Sequence, residues 1–341
     1  MSNKLAKGRA TIRDVAKLAQ VSPITVSRVV NNQGYVSPQT RERVERAVAQ
    51  LHYIPNGLSQ SLRYQKTHMI TLIVSDVANP FWTTITRGVE DVCRRHGLSV
   101  ILCNTDEDSL KLENYVRLLL QRQVDGFIIS PTSQDASVVR MIEDSHIPVV
   151  LVDRVLEDVP SPSVYSDNEA GAYALTRHLI ELGHEAIVMV SGGMAQSTSV
   201  QRIRGYHQAM AEAGLSEQVI PTSYTQQSGY DTVMHLFRVA RPHPTALVAG
   251  NNFIAFGALT ALEELGLSVP NDISLVAFDD TQFQIFPKPF LTTAAQNPYQ
   301  LGQEAATLLV RRLQGEDLAP LHDIILPIEL IVRRSTAQPR C

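Results

Sequence analysis

The spacing of hydrophobic positions divides the 341-residue chain into two regions with different predicted structure. Between Thr11 and Tyr53 the apolar residues recur with the spacing of amphipathic helices. From Met69 onward, short apolar runs alternate with amphipathic stretches, as in MITLIVS, LSVILC, GFIIS and PVVLV. The pattern predicts a small helical unit followed by a larger region in which strands and helices alternate.

Three short helices are predicted in the N-terminal region because each has a clear start. Thr11 followed by Asp14 is typical of a capping box, and Gln20-Val21 supplies a tight turn before the second helix. A side-chain cap followed by proline begins the second and third helices, at Ser22-Pro23 and Ser37-Pro38. Two short helices joined by so tight a turn indicate a helix-turn-helix.

The larger region contains two consecutive strand–helix series, and the second series includes a strand expected near Tyr224. Continuous apolar strands separated by helices are typical of parallel sheets that are covered on both faces. The predicted fold class is therefore α/β, with an all-α helix-turn-helix head and a core of two doubly wound parallel-sheet lobes. The longest apolar runs are too short to span a bilayer, so we expect no membrane association.

Charge is unevenly distributed between the two regions. The first 66 residues hold 11 of the 30 Lys and Arg residues but only three of the 34 acidic residues. A basic head on an acidic body indicates nucleic acid as the partner of the head. The alternative is a structural three-helix bundle with a solvated basic face, but the tight turn and the two caps favour DNA binding.

A helix-turn-helix inserts its second helix into the major groove, with the N-terminal residues at the base edges. The residues that this geometry assigns to the bases are Pro23, Ile24, Thr25, Ser27 and Arg28. Arg28 is the best candidate for a bidentate contact with guanine. The residues better placed for phosphates are Thr11, Ser22, Asn31, Tyr53, Arg41, Arg43 and Arg46.

The segment from Thr11 to Asn56 resembles the DNA-binding head of the LacI/GalR family of transcription regulators. The motifs that carry the resemblance are T-x-x-D-V-A, V-S-x-x-T-V-S-R-V-x-N, V-S-x-x-T-R-x-x-V and L-x-Y-x-P-N. In such proteins the variable base-reading pair falls on Pro23 and Ile24, whose apolar side chains suit thymine methyl groups. The resemblance implies a homodimer on near-palindromic double-stranded operator DNA.

The resemblance also implies a hinge helix after the head. In the family this helix orders on operator DNA, and a leucine from each subunit wedges into the minor groove. That leucine corresponds to Leu62, with Arg63 after it and Asn56 near the start of the segment. The usual Ala-Arg is replaced by Ser59-Gln60, which removes one charge that faces the phosphates. A plain flexible linker is the alternative, because Gly57 weakens so short a helix.

Polar and aromatic residues follow the predicted strands of the core, where ligands bind in sheets of this kind. They occur at Asp76, Asn79–Trp82, Asn104–Asp106, Ser130–Ser133, Asp153-Arg154, Ser197–Arg202, Asn251-Asn252 and Asp279-Asp280. Aromatic faces together with carboxylates, amides and guanidiniums indicate a polar site of about the size of a sugar.

The core also resembles the type I periplasmic-binding-protein fold, which forms the effector domain of the same family. The effector residues predicted together from the strand ends and this resemblance are Asn79, Phe81, Trp82, Asp106, Thr132, Arg154, Arg202, Tyr224, Asn252, Asp279 and Gln296. Asn252 stands where many members have Asp, which favours a less donor-rich ligand or a sugar acid, and the two arginines suit a carboxylate. We expect a sugar or sugar acid, with a nucleoside or a phosphorylated metabolite as the alternative.

The predicted domain boundaries follow from these elements. Residues 1–54 are expected to form the helix-turn-helix domain, 55–67 the hinge helix or linker, and 68–335 the effector-binding and dimerisation core. Within the core, lobe 1 comprises 68–166 and 297–326, and lobe 2 comprises 167–296 and 327–335, so the chain crosses between lobes three times. Effector binding is expected to close or rotate the lobes and thereby to change the spacing of two heads in a dimer.

Other classes of protein have little support in the sequence. The three cysteines lack metal spacing, and there is no G-x-S-x-G, Walker A or dinucleotide fingerprint. We therefore expect no enzyme activity, no metal and no cofactor. No apolar segment typical of a signal peptide follows the N-terminus, which favours a cytoplasmic regulator over a free-standing solute-binding protein.

Overall fold

The computed structural model describes residues 10–54, 66–132, 135–156, 159, 161–239, 242–280, 289–316 and 323–340. The chain divides into two compact units, Met1–Thr67 and His68–Cys341, which are considered separately. Among the described residues, no helix is both long enough and apolar enough to cross a membrane.

The first unit contains three helices, α1 (Ile12–Ala19), α2 (Pro23–Val30) and α3 (Pro38–Gln50). The caps form as the sequence predicts, with a reciprocal capping box at Thr11 and proline in the first turn of the other two helices. Gln20 adopts a left-handed conformation (φ 55°), which turns the chain sharply between α1 and α2. The three helices meet at Val15, Val26 and Val44, all fully buried. The predicted helix-turn-helix head is confirmed.

The second unit begins with a six-stranded sheet in which every pairing is parallel. Its strands are β1 (Met69–Val74), β2 (Ser99–Asn104), β3 (Gly126–Ile129), β4 (Val149–Val152), β5 (Ser163–Ser166) and β11 (Ile324–Leu326), in the order β11-β5-β4-β3-β1-β2. The helices that accompany it are α4 (Pro80–Arg95), α5 (Ser109–Gln121), α6 (Ala136–Asp144) and α11 (Pro298–Leu313). We refer to this sheet and these helices as lobe 1.

A second six-stranded sheet forms lobe 2. Its strands are β6 (Ile187–Ser191), β7 (Val219–Pro221), β8 (Ala246–Ala249), β9 (Ser274–Phe278), β10 (Thr292–Ala295) and β12 (Glu329–Ile331), in the order β12-β10-β9-β8-β6-β7. Among the strands of this sheet that the structure describes, only β12 runs antiparallel, against β10. The helices of the lobe are α7 (Asn168–Glu181), α8 (Ser197–Glu212), α9 (Gln226–Val239) and α10 (Asn252–Glu264). The strand expected near Tyr224 ends earlier, at Pro221, and Tyr224 lies in the turn that follows.

Each sheet packs apolar side chains on both of its faces. This double coverage explains why the strands read as continuous apolar runs, because no face of the central strands meets water. The fold class expected from the sequence is confirmed.

The chain passes between the lobes after β5, after β10 and after β11. The second passage leads into α11, which crosses α4 so closely that a Cβ at Gly88 would lie 2.2 Å from the Tyr299 carbonyl oxygen. Only glycine permits such an approach of two helix backbones. The crossing holds the middle of α4 against the start of α11, and the N-terminal end of α4 contributes residues to the cleft between the lobes.

Candidate functional site

The N-terminal half of α2 presents an exposed surface in the first unit. Pro23, Ile24 and Arg28 are exposed, with Ile24 67% exposed, whereas Val26 and Val29 are buried on the opposite side. An exposed isoleucine at the start of a helix is suited to an apolar contact with a partner, because it has no internal packing role. The surface therefore has the composition expected of a helix that reads base edges.

Two of the remaining residues predicted for DNA make hydrogen bonds within the head. The Thr11 hydroxyl donates to Asp14 Oδ2 at 2.7 Å, and Asn31 Nδ2 donates to Ser27 Oγ at 3.1 Å. The side chains of Ser22, Thr25 and Tyr53 are exposed or half-buried. Three predicted residues, Asn56, Leu62 and Arg63, lie outside the described part of the chain.

Sequence reasoning missed Tyr35 as a candidate contact. This side chain is 88% exposed in the turn between α2 and α3. Its signal in the sequence was an aromatic residue within the otherwise polar segment NNQGY. An aromatic ring this exposed has no packing role in the head and is available to a partner.

A polar cleft of about 580 Å³ lies between the lobes, at the carboxyl ends of strands from both sheets. Nine of the eleven predicted effector residues line it, namely Asn79, Phe81, Trp82, Asp106, Arg154, Arg202, Tyr224, Asp279 and Gln296. The residues come from both lobes, so a ligand held here would touch both. Such a position allows a small molecule to bias the relative arrangement of the lobes.

Two predicted effector residues do not line this cleft. Thr132 turns away to Asp135, to which its hydroxyl donates at 2.8 Å at the start of α6. Asn252 instead lines a neighbouring cavity of about 600 Å³ and pairs with Asn79. Both residues follow a strand, as predicted. The capping bond to Asp135 directs the Thr132 side chain away from the cleft, and the bonds with Asn79 direct that of Asn252.

The pairing of Asn79 with Asn252 links the lobes directly. Each Nδ2 donates to the other residue's Oδ1, at 3.1 Å and 3.0 Å, and both side chains are buried. The orientation of each amide is fixed, because Asn79 Oδ1 also accepts from the Phe81 N–H and Asn252 Oδ1 from the Phe253 N–H. The two amides form a self-complementary bridge between the start of α4 and the start of α10.

Arg154 is neutralised within the cleft rather than exposed to a ligand. Its two terminal nitrogens donate to the two carboxylate oxygens of Glu107, at 2.6 Å and 2.8 Å. Burial alone would raise the pKa of Glu107, but Arg154 outweighs it and the pKa is lowered. This bidentate pair leaves only Nε of Arg154 without a hydrogen-bond partner among the described residues.

Arg202 is also held by the protein. Nε donates to Asn168 Oδ1 at 2.8 Å, Nη1 donates to the Gly250 carbonyl oxygen at 2.6 Å, and the guanidinium lies 4.1 Å from the centre of the Phe278 ring. Most guanidinium nitrogens in the cleft therefore already have protein partners, which leaves a ligand carboxylate fewer donors than two free arginines would provide.

Two buried aspartates complete the cleft. Asp153 follows β4 and Asp279 follows β9, and burial raises the pKa of both carboxyl groups, that of Asp153 to about 6. Asp279 accepts from Gln296 Nε2 at 2.5 Å. Asp153 Oδ1 has no hydrogen-bond partner among the described residues, and Arg154 Nε lies 3.6 Å from Oδ2. The two acids are thus equally buried but unequally satisfied.

Aromatic side chains form the remaining walls. Phe81 and Trp82 meet edge to face, with ring centres 5.0 Å apart. The Tyr224 hydroxyl and Ser199 Oγ are 2.6 Å apart. Asp106 lies at the rim, where it pairs with Lys111 at 2.5 Å. Aromatic faces beside carboxylates and amides suit a flat or ring-shaped polar molecule.

Glu107 and Gln196 are lining residues that sequence reasoning missed. Glu107 directly follows the predicted Asp106, and Gln196 directly precedes the predicted segment Ser197–Arg202. In each case the signal was the neighbouring residue, since the loop after a strand presents several side chains to the same cleft. Within the described ranges, no group of three or more His, Cys, Asp or Glu residues is arranged to hold a metal ion.

A basic head with an exposed recognition helix, followed by a two-lobed core with an interlobe cleft, defines the class of ligand-responsive DNA-binding regulators. Residues 11–56 match the bacterial regulatory proteins of the lacI family, and residues 67–332 match the periplasmic binding proteins and sugar binding domain of LacI family. The chain belongs to the LacI family and is a transcriptional repressor rather than an enzyme.

Similarity to individual proteins extends over almost the whole chain. The HTH-type transcriptional repressor PurR of Glaesserella parasuis serovar 5 (strain SH0165) is 33% identical, over 96% of this chain and 98% of the relative. The lac repressor dimer bound to operator and the anti-inducer ONPF is 30% identical, with a TM-score of 0.82, and covers 97% of this chain and 100% of that structure. A complex of the transcriptional regulator CelR with cellobiose is 32% identical, with a TM-score of 0.72, over 96% and 100%.

Proposed function

We propose that this chain is a homodimeric cytoplasmic repressor that binds a near-palindromic operator and releases or engages it in response to an effector in the interlobe cleft. Residues 1–54 act as the DNA-binding domain, 55–67 as the hinge, and 68–335 as the effector-binding and dimerisation core. The observation that carries the DNA-binding part is the exposed N-terminal half of α2, with its buried valines opposite.

The bases are read by the start of α2. Pro23 and Ile24 contact thymine methyl groups, Thr25 and Ser27 approach neighbouring edges, and Arg28 donates to guanine. Thr11, Ser22, Asn31 and Tyr53 contact phosphates, and Tyr35 adds an exposed aromatic contact. Leu62, with Asn56 and Arg63, acts at the minor groove as the hinge of the family does.

Selection of bound duplexes from a random pool identifies the operator, and fluorescence anisotropy then measures affinity. Arg28→Ala is expected to weaken operator binding by about tenfold or more and to relax the preference for one guanine. Arg177→Ala is the matched control, because Arg177 is partly exposed on α7 and pairs with Glu181. Equal affinity of the two variants would contradict the assignment of Arg28.

The effector is a small molecule without negative charge. Five carboxylates line the cleft, those of Asp76, Asp106, Glu107, Asp153 and Asp279, against the two guanidiniums of Arg154 and Arg202. The pairing of Arg154 with Glu107 carries this conclusion, because it removes the one cation that a ligand anion would otherwise have met in lobe 1. A sugar acid or a phosphorylated metabolite would place further negative charge beside Asp153, whose Oδ1 has no donor among the described residues, in a desolvated site.

A nucleoside-type molecule is the first candidate for this effector. The relative named PurR, a name that denotes a purine regulator, supports a nucleoside more than a sugar. The walls formed by Phe81, Trp82 and Tyr224 suit a planar base, and the carboxylates suit ribose hydroxyls. A neutral sugar is the second candidate, because a solved relative of 32% identity is a complex with cellobiose.

A thermal-shift panel of charge-matched pairs tests this proposal. The pairs are a nucleoside with its monophosphate, and a neutral sugar with its uronic acid. A ligand at hundredfold excess over its Kd stabilises the folded state by about 2.7 kcal/mol. We expect a nucleoside or a neutral sugar to stabilise the protein and its anionic counterpart to have no effect. Stabilisation by the anionic members alone would overturn the effector class and leave the operator proposal untouched.

A further inference from the structure

The interlobe cleft contains hydrogen-bond acceptors that no donor of the described residues satisfies. They are Asp153 Oδ1, Gln196 Oε1 and Gln296 Oε1, in side chains that line one cleft. Asp153 and Gln296 are 5% and 8% exposed, so water has little access to them. A buried acceptor without a donor is costly, and a carboxylate more so than an amide. The cleft is therefore short of donors rather than of acceptors.

Asp153 has the greatest need for a donor. The charged groups around it are Arg154 and Arg202, which attract its negative charge, and Asp279 and Glu107, which repel it. Arg154 directs its two terminal nitrogens to Glu107, and Arg202 donates hydrogen bonds to Asn168 and to the Gly250 carbonyl oxygen. Neither arginine makes a hydrogen bond of normal length to Asp153 among the described residues.

We propose that the effector carries an amino group that donates to the Asp153 carboxylate, in a cleft that the proposed function already assigns to a ligand without negative charge. A hydroxyl offers one proton, whereas an amino group offers two or three, which suits a site with several free acceptors. The ammonium group of an amino sugar also balances the excess of carboxylates over guanidiniums, whereas the exocyclic amino group of a purine is neutral and supplies donors only. The ligand class is thus an amino-substituted purine nucleoside or an amino sugar.

Asp279, the equivalent acid of lobe 2, does not select for a ligand amino group. Asp279 accepts from Gln296 Nε2 and from the backbone N–H of Asn252, so its donors are supplied by the protein. Its role is to orient Gln296 and the start of α10. This difference provides a matched pair of variants, Asp153→Asn and Asp279→Asn, that remove the same charge from the two walls of one cleft.

Isothermal titration calorimetry of the full-length protein with two matched ligand pairs tests the proposal. Guanosine and inosine differ by one amino group on the base, and glucosamine and glucose differ by an amino group in place of a hydroxyl. We expect the amino member of one pair to bind at least about tenfold more tightly, since a hydrogen bond to a charged group has about this effect. The pair that responds identifies whether a nucleoside or a sugar is the source.

The two variants locate the selecting group. In Asp153→Asn the preference for the amino member is expected to fall to less than about twofold, whereas in Asp279→Asn both members weaken together and the preference remains. Urea unfolding verifies that both variants fold. If Asp153→Asn does not fold, the wild-type protein is titrated at pH 7.5 and pH 5.5, and protonation of Asp153 is expected to reduce the guanosine preference severalfold.

Several outcomes would overturn the proposal. They are equal affinity within both pairs, a preference that persists in Asp153→Asn, a preference that is lost only in Asp279→Asn, or no binding of either amino ligand. Binding of inosine or glucose without discrimination would overturn the amino group but retain the neutral effector. Binding of only an anionic ligand would overturn the proposed effector class as well.

Discussion

The two walls of the cleft use the same backbone turn with different surroundings. Asp153 and Asp279 each follow a central strand of their sheet and each has a positive φ, 68° and 69°. The residue after Asp153 is an arginine that pairs with Glu107, and the residue after Asp279 is an aspartate that pairs with Arg333 through both carboxylate oxygens. Both lobes therefore satisfy the residue after the turn internally.

The lobes differ at the aspartates themselves. Lobe 2 supplies donors to Asp279, whereas lobe 1 leaves one oxygen of Asp153 without any among the described residues. Burial alone therefore does not distinguish a structural acid from one available to a ligand. The number of donors that the protein itself provides makes the distinction.

The largest effect is expected from removing the cation that both walls share. Arg202 lowers the free energy of both ionised aspartates, so Arg202→Met leaves two buried carboxylates with less compensation. We expect a loss of about 3–5 kcal/mol in the free energy of unfolding at pH 7.5, measured in urea. Arg177→Met, at a partly exposed pair with Glu181, is the control and is expected to change stability by less than about 0.5 kcal/mol. Similar losses in the two variants would contradict the account.

Replacement of the two aspartates by asparagine is expected to change the free energy of unfolding in opposite directions. Asp153→Asn removes a buried charge without a donor and is expected to stabilise the fold by about 2 kcal/mol at pH 7.5. Asp279→Asn also removes a buried charge, but it turns an amide donor towards Gln296 Nε2 or the Asn252 N–H, and the loss of that hydrogen bond is expected to outweigh the relief and to destabilise the fold by about 1–3 kcal/mol. Urea unfolding measures the stability of both variants. A change in the same direction in both would show that Asp153 and Asp279 do not differ in how the protein satisfies them.

The effect of Asp153 on stability depends on pH. Its folded pKa is about 6, above the ordinary value of 3.8, so ionisation costs stability. The cost is absent below the unfolded value, grows as the pH rises between the two values and is complete above the folded one. The advantage of Asp153→Asn over the wild type is therefore expected to disappear at a pH of about 4. An advantage that is independent of pH would indicate a cause other than charge.

A smaller effect is expected at the bridge between the walls. Asn252→Asp removes the Nδ2 donor to Asn79 and places an oxygen against Asn79 Oδ1. We expect a loss of about 1–2 kcal/mol in urea unfolding, because one hydrogen bond is lost and two acceptors face each other. Asn297→Asp is the matched control, since Asn297 caps α11 on an exposed surface and Asp is an equally good cap. Comparable losses in both variants would exclude a specific role for the amide pair.

The smallest effect is expected at Thr132, where a substitution distinguishes a helix-capping role from a contact with the ligand. Thr132→Val removes a hydroxyl that donates to Asp135 outside the cleft. We expect a loss of about 1 kcal/mol in stability and no change in effector affinity. Calorimetry with the bound effector checks the second part, and a severalfold loss of affinity would return Thr132 to the site.

Most of the fold was predictable because periodicity and capping are local properties of the sequence. The three helix starts at Thr11, Ser22 and Ser37 depend on residues within one turn of each other, and the buried strands appear as continuous apolar runs. The strand expected near Tyr224 was misplaced because Pro221 ends a short edge strand that carries little hydrophobic signal.

The cleft was predictable in its location but not in its bonding. Strand ends indicate which loops meet, and most of the predicted residues do line the cleft. The pairing of Arg154 with Glu107 joins residues 47 positions apart, and that of Asn79 with Asn252 joins residues 173 apart. Such pairings depend on side-chain directions across two loops, which spacing along the chain does not encode. The expectation of a sugar acid assumed two free arginines and did not include these pairings.

The pKa of the Asp153 carboxyl group, measured by carbon-13 NMR of protein labelled at aspartate, tests the comparison most directly. Asp153→Asn assigns the resonance. We expect a pKa of about 6 in the free protein, because the carboxylate is buried and lacks a donor. Once an amino ligand is bound, we expect a value at least about one unit lower. An ordinary value in the free protein, unchanged by ligand, would show that lobe 1 already satisfies Asp153 and would contradict the account.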